Sequence, residues 1–344
     1  MRRIGALSCP TIVAVLIALA CASALVLVAG GRPLEVYRLL WDGTWGTAYG
    51  IGQVLFKATP LMLTGLSVAL AYRARLFNIG AEGQMTLGAF ACAMVGAALP
   101  PGTPGPIAVT LALLATFAAG AALAAIAGAL KAFRGAHEVI TTIMLNYVVR
   151  AIMVGVGAHV FLRETIHTTP IVPAAELPRL SSLIPALHGS AVNGALALAL
   201  VVAAATGWLL FRTRTGFRLR ALGAAPLAAE TSGIPVRATT LLAMALSGGL
   251  AGLAGANFVL GYKHYYEDGF SGGIGYMGIA VAMAGRAHPL GVVLAALLFG
   301  TLSQGALAVN ALVPKEMLDV LQAVVILVVA ATPELRRKLR EAVA

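Results

Sequence analysis

The residues with the greatest capacity for chemistry lie in Arg73-Ala-Arg-Leu-Phe-Asn-Ile-Gly-Ala-Glu-Gly-Gln84, where Asn78, Glu82 and Gln84 lead into an apolar run ending at Leu99. A charged side chain costs roughly 2.5–3.5 kcal/mol at the centre of a spanning helix, so Glu82 marks a functional site by default. Gly80 and Gly83 flank it. Loosened backbone at membrane depth requires cover from protein or a water-filled path. Neutral polar groups recur in other apolar runs: Thr141, Thr142 and Asn146, then Asn257, then Ser303, Gln304 and Asn310. Amides donate and accept at once, which suits hydroxyl-rich or heterocyclic neutral solutes. Interhelical hydrogen bonding is the other reading of any single amide. Thr142 and Asn146 share a helical face with Glu138.

Catalytic alternatives fail on spacing. No GxxxxGK[ST] loop is present, so ATP hydrolysis by that route requires a separate subunit. Gly273-Ile-Gly-Tyr-Met-Gly278 matches GxGxxG only literally, because it lies in an apolar run without a strand–helix unit around it. His137-Glu138 is followed by Thr141 where a metalloprotease helix needs histidine, and no serine stands in a GxSxG elbow. Cys9, Cys21 and Cys92 lack metal or disulfide spacing. The expectation is a chain with no catalytic residues, metal or cofactor.

The elements that must position these groups are membrane helices. Of 344 residues, 60% are hydrophobic and 11% charged, far more apolar surface than a soluble chain of this length buries. Uncharged runs of about 20 residues, long enough to cross about 30 Å of hydrocarbon, place spans at 10–30, 51–72, 79–99, 106–130, 138–161, 191–211, 239–260, 270–285, 289–311 and 317–332. The fold expected is all-α, one transmembrane domain over residues 1–344, with about ten transmembrane helices. The first apolar run is too long for a signal-peptide core and reads as a span. Segment 270–285 is the shortest and suits a half-helix as well as a crossing. Counting it puts both termini in the cytoplasm and most loop arginines on the inner side, as the positive-inside rule requires. The net charge of +11 is thereby explained by orientation, and nucleic acid is not an expected partner.

Lys57 and Arg150 fall within spans. Lys57 can snorkel toward headgroups; for Arg150 a partner carboxylate, a wet cavity or a shifted helix boundary each serve. The outer loop from Arg163 to Ser190 carries Pro170, Pro173, Pro178 and Pro185, which forbids a long helix. The inner loop, about 212–237, differs: Pro226 to Ser232 forms a short helix with proline in its first turn, a docking element for a partner. Two small-residue stripes, Gly120/Ala124/Gly128 and Gly248/Gly252/Ala256, are helix-packing faces.

Lys57-Ala-Thr-Pro-Leu, Phe77-Asn-Ile-Gly-Ala-Glu-Gly-Gln84, Glu138-Val-Ile-Thr-Thr-Ile-Met-Leu-Asn-Tyr147 and the loop Gly216-Phe-Arg-Leu-Arg-Ala-Leu-Gly223 followed by Ala228-Ala-Glu-Thr-Ser-Gly-Ile234 together resemble the membrane permeases of bacterial ABC importers for nucleosides and simple sugars. The resemblance covers about residues 50 to 310, and the extended N-terminal region is similar to the longer permease of the nucleoside-type pair. It implies an inner-membrane, multi-pass subunit working with an ABC ATPase, a second permease, an extracytoplasmic solute-binding protein and a nucleoside or sugar. His137, where the family commonly has asparagine, and Ala224-Ala225, where it commonly has an asparagine before the proline, depart from the pattern.

The expected mechanism divides the chain. Asn78, Glu82, Gln84, Asn146, Asn257 and Gln304 line or brace the substrate pathway, while Arg218, Arg220, Gly223, Ala228, Ala229 and Gly233 form or position the ATPase docking loop. The rival is an ion-coupled secondary transporter of a small polar solute, with Glu82 and Arg150 as a coupling pair. A third reading, a scaffold of a membrane complex, gives the buried amides a role in assembly alone.

Overall fold

A computed structural model describes residues 30–310 and residues 20, 23, 24, 26, 27, 312, 320 and 323. The expected first and last spans, 10–30 and 317–332, and both chain ends lie outside the continuously described residues. The described elements are α1 (Pro33–Gly43), α2 (Ala48–Arg73), α3 (Ala81–Ala98), α4 (Gly105–Arg134), α5 (Glu138–Val160), α6 (Ala195–Arg212), α7 (Arg214–Ala224), α8 (Pro226–Thr231), α9 (Val236–Leu253), α10 (Ile274–Ala284) and α11 (Pro289–Val309). After α9 the helix continues irregularly through Ala256–Phe258 and a π turn at Val259–Lys263.

Six helical runs among the described residues are long and apolar enough to cross a membrane: α2, α4, α5, α6, α9 with its continuation, and α11. Helix α3 adds a mostly buried segment, and the 270–285 expectation resolves into the 11-residue α10, a half-helix by length. Burial sorts the long helices: α2 is 89% buried over its apolar window, whereas α5 is 22% and α6 is 28% buried. Helix α2 is therefore an inner element, and α5 and α6 leave Ile140, Met144, Leu200 and Val201 exposed for lipid or another subunit.

Compact packing falls into two units. In the unit formed by residues up to Val54 and from Thr301 onward, Val26, Val36 and Val309 cluster, and the Trp45 indole donates to Thr301 at 3.1 Å. The unit Leu55–Gly300 holds α3 to α10 and most of α2 and α11. Its tightest contact joins α4 to α9, where the two expected stripes meet: a Cβ on Gly248 would strike Ala124 and the Gly120 carbonyl. Without a hydrophobic force between helices in lipid, this backbone approach supplies the van der Waals contact that holds them.

Helix ends follow local chemistry. Gly135, at φ 69°, terminates α4 and donates to Leu130 and Lys131 carbonyls; Lys131 then pairs with Glu138 at 2.9 Å across the hairpin to α5. The 163–190 loop contains only three 3-10 turns, at Pro173–Ala175, Leu180–Ser182 and Pro185–Leu187, as its prolines dictate.

Candidate functional site

Between α2 and α3 the chain is unwound. Arg75 turns it at φ 59°, Leu76 N–H closes the end of α2 by donating to the Ala71 carbonyl at 3.0 Å, and residues 77–79 lie outside any helix. The backbone groups of Ile79 are met by side chains from α5: the Asn146 amide donates to the Ile79 carbonyl at 3.0 Å, and Ile79 N–H donates to the Thr142 hydroxyl at 3.3 Å. The Asn146 carbonyl oxygen in turn accepts from Gly83 N–H at 2.9 Å. One amide thus satisfies the segment and the start of α3 together, which makes non-helical backbone tolerable inside an apolar bundle.

Asn78 and Gln84 face each other amide to amide, with Asn78 Nδ2 donating to Gln84 Oε1 at 2.8 Å and Gln84 Nε2 donating to Asn78 Oδ1 at 2.9 Å. Asn78 also donates to Ser247 at 2.8 Å, and Ser247 donates to the Ser67 carbonyl at 2.8 Å. Both amides are fully enclosed. They brace α2, α3 and α9 against one another and present no free surface to a solute.

Glu82 makes an anchor of another kind. Its Oε1 accepts from the Ser271 hydroxyl at 2.5 Å and from Gly273 N–H at 3.2 Å, and its Oε2 accepts from Gly275 N–H at 2.7 Å. Those amides belong to the first turn of α10, so the carboxylate sits against the positive end of that helix. Gly273 starts the helix from φ 87°, a conformation costly for any residue with a Cβ, and a Cβ on Gly275 would overlap the Glu82 backbone.

Glu82 and Asn146 also border an open cleft with Tyr147, Arg150, Asp268 and Tyr276. Asn146 donates to the Tyr276 hydroxyl at 3.2 Å, and Tyr147 is 60% exposed. Arg150, near the middle of α5, is exposed and reaches into this cleft, with no carboxylate partner among the described residues. A wet cavity is the account that fits it. Glu82 and Arg150 share the cleft but form no ion pair, so the coupling pair of the ion-driven reading is missing from the described residues. The walls combine two phenols, an amide, two carboxylates and a guanidinium, a set able to hydrogen-bond and stack on a flat polar solute.

Asn257 and Gln304, the other two expected pathway residues, have partners of their own. Asn257 is buried against Asn193, whose amide donates to its side-chain oxygen at 3.2 Å. Gln304 belongs to the other unit, where it donates to the Gly43 carbonyl at 3.4 Å. Sequence reasoning passed over Ser67, Asn193, Ser247, Asp268, Ser271 and Tyr276. Asn193 had the same signal as the other amides, a lone polar group opening an apolar run, whereas the serines carried no periodic signal.

The 212–237 loop folds into α7 and α8. Thr213 caps α7 by accepting from Gly216 N–H at 3.0 Å, and Gly223 lies against the Arg73 carbonyl with no room for a Cβ. Arg220 lies over the Phe211 ring at 5.7 Å, while Arg218 is exposed. Pro226 opens α8 and Gly233, at φ 81°, follows it. Ala229 is buried; Leu227, 80% exposed, and Ala228 form an apolar tip.

Residues 50–330 match the family described as the branched-chain amino acid transport system permease component. The chain is 36% identical to the guanosine ABC transporter permease protein NupP of Bacillus subtilis, over 98% of this chain and 96% of that protein. It is 33% identical to the nucleoside ABC transporter permease protein NupB of Lactococcus lactis, over 89% of this chain and 86% of the relative. The glucose ABC transporter permease protein TsgB13 of Haloferax volcanii is 32% identical over 92% of this chain and 85% of its own length. No solved structure matches. With six membrane-length helices among the described residues, a braced unwound segment and a match covering most of its length, this chain belongs to the branched-chain amino acid transport system permease family and is a membrane-embedded transport permease.

Proposed function

We propose that the chain is the inner-membrane permease subunit of an ATP-driven ABC importer that moves nucleosides or related simple sugars into the cytoplasm. The observation that carries the reading is the mixed polar cleft beside α5, into which the mid-span Arg150 projects. An unpaired arginine on a helix facing lipid is costly, whereas one facing a solute path between two permeases is solvated. The braced residues Asn78, Glu82, Gln84 and Asn146 hold the unwound segment and α10 as the wall of that path. Tyr147 and Tyr276 offer aromatic faces to a base or sugar ring.

The relatives named for guanosine, nucleosides and glucose support this solute class. The missing Glu82–Arg150 pair and the ABC relatives favour ATP drive over ion coupling. ATP is hydrolysed by a separate ATPase that receives the α8 tip, with Leu227 and Ala228 seated in its groove and Arg218, Arg220, Gly223 and Gly233 holding the loop. A second, related permease completes the pore, and an extracytoplasmic binding protein delivers solute. Both termini lie on the cytoplasmic side.

Proteoliposomes holding the permease pair, ATPase and binding protein test this directly. ATP-dependent uptake of nucleosides or sugars is expected. Uptake that follows a proton or sodium gradient without the ATPase would refute it. Within the active complex, Arg150→Met is expected to lower uptake at least 10-fold while leaving subunit assembly intact.

A further inference from the structure

At the base of the 212–237 loop, Arg212, Arg214, Arg218 and Arg220 converge on one open groove with Phe217 and Ile234. No carboxylate lines it, and none of the four arginines forms an ion pair with a carboxylate among the described residues. The Arg220 Nε is buried without a hydrogen-bond partner, its guanidinium fixed over Phe211. Four guanidinium groups on one groove without a carboxylate leave its positive charge uncompensated, and an oxyanion is the ligand that complements it.

Position separates the possible sources of that oxyanion. Arg212 is the last residue of the apolar α6, and Trp208, one turn earlier, is 64% exposed, the arrangement of an aromatic residue at a headgroup boundary. The Arg212 side of the groove therefore opens at headgroup depth, while its other wall, Ser232 to Ile234, follows α8. Phe217, 60% exposed, adds an apolar surface beside the guanidinium groups, which an acyl chain can cover and a free phosphate cannot. We propose that this groove binds the phosphate headgroup of an anionic phospholipid, holding α7 at the membrane surface. This inference goes beyond the importer reading and does not depend on it.

The full-length permease, with Trp41 and Trp45 changed to Phe so that Trp208 alone reports, is placed in phosphatidylcholine vesicles containing either brominated phosphatidylglycerol or brominated phosphatidylcholine. The phosphatidylglycerol is expected to quench Trp208 at a lower mole fraction. Each basic residue near a membrane surface contributes about a 5-fold preference for anionic lipid, so Arg214→Gln with Arg218→Gln should reduce the preference about 30-fold. Both substituted side chains are exposed. Arg237→Gln, exposed but outside the groove, should leave the preference in place. Equal quenching by the two lipids, a preference unchanged in the double variant, or an equal loss in the Arg237 variant would overturn the proposal. So would loss of the preference on adding glycerol phosphate, which identifies a free-phosphate site, or on adding the ATPase subunit, which identifies a protein interface.

Discussion

Replacing Glu82 with glutamine keeps the side chain's length and removes its charge and one of its two acceptor oxygens. Three donors converge on the carboxylate: the Ser271 hydroxyl at 2.5 Å, Gly273 N–H at 3.2 Å and Gly275 N–H at 2.7 Å. With the glutamine oxygen toward Ser271 and Gly273, its NH2 group confronts Gly275 N–H, donor against donor. With the amide reversed, Ser271 can rotate to accept, but Gly273 N–H loses its acceptor. Either way one backbone N–H at the start of α10 is stranded, at about 1–3 kcal/mol. The lost interaction between the charge and the helix terminus adds up to about 2 kcal/mol. The sum, about 3 kcal/mol, corresponds to roughly a 150-fold shift in the unfolding equilibrium. Reversible unfolding of the purified permease by SDS in mixed micelles, followed by helical circular dichroism, measures it. Ser271→Ala should cost less, about 1 kcal/mol, and the double variant should show a coupling energy above about 0.5 kcal/mol. An unfolding free energy equal to the parent's, with uptake abolished, would refute the anchoring role and make Glu82 a group that acts on solute or protons.

Asn146→Leu strands Gly83 N–H and the Ile79 carbonyl at once, so a loss of about 2–5 kcal/mol and faster amide exchange at residues 76–83 are expected in hydrogen-exchange mass spectrometry. Gly248→Leu drives a side chain into Ala124 and the Gly120 carbonyl; it should prevent α4 and α9 from packing and abolish monodisperse behaviour in size-exclusion chromatography. Leu227→Asp alters only an exposed tip, so the permease should fold normally while ATPase co-purification falls at least 10-fold, as read by quantitative gel densitometry.

The class and much of the local structure are legible in the order of residues alone. Uncharged runs located the described spans, the prolines of 163–190 kept that loop irregular, and Pro226 placed the short helix of the 212–237 loop. The glycine stripes on α4 and α9 were legible as packing faces because helical periodicity records which side of a helix is small. Periodicity does not record which neighbour a side chain will meet, and this was left to tertiary structure. Glu82 finds Ser271, 189 positions later, and Asn78 finds Ser247, 169 positions later. Only the assembled bundle decided that Glu82 would hold the first turn of a half-helix and that Asn78 and Gln84 would satisfy each other instead of facing solute. It left Arg150 open to a cleft. The physical reason is that a buried polar group must be matched by whichever donors the fold brings within about 3 Å, and in this chain those donors come from segments distant in sequence.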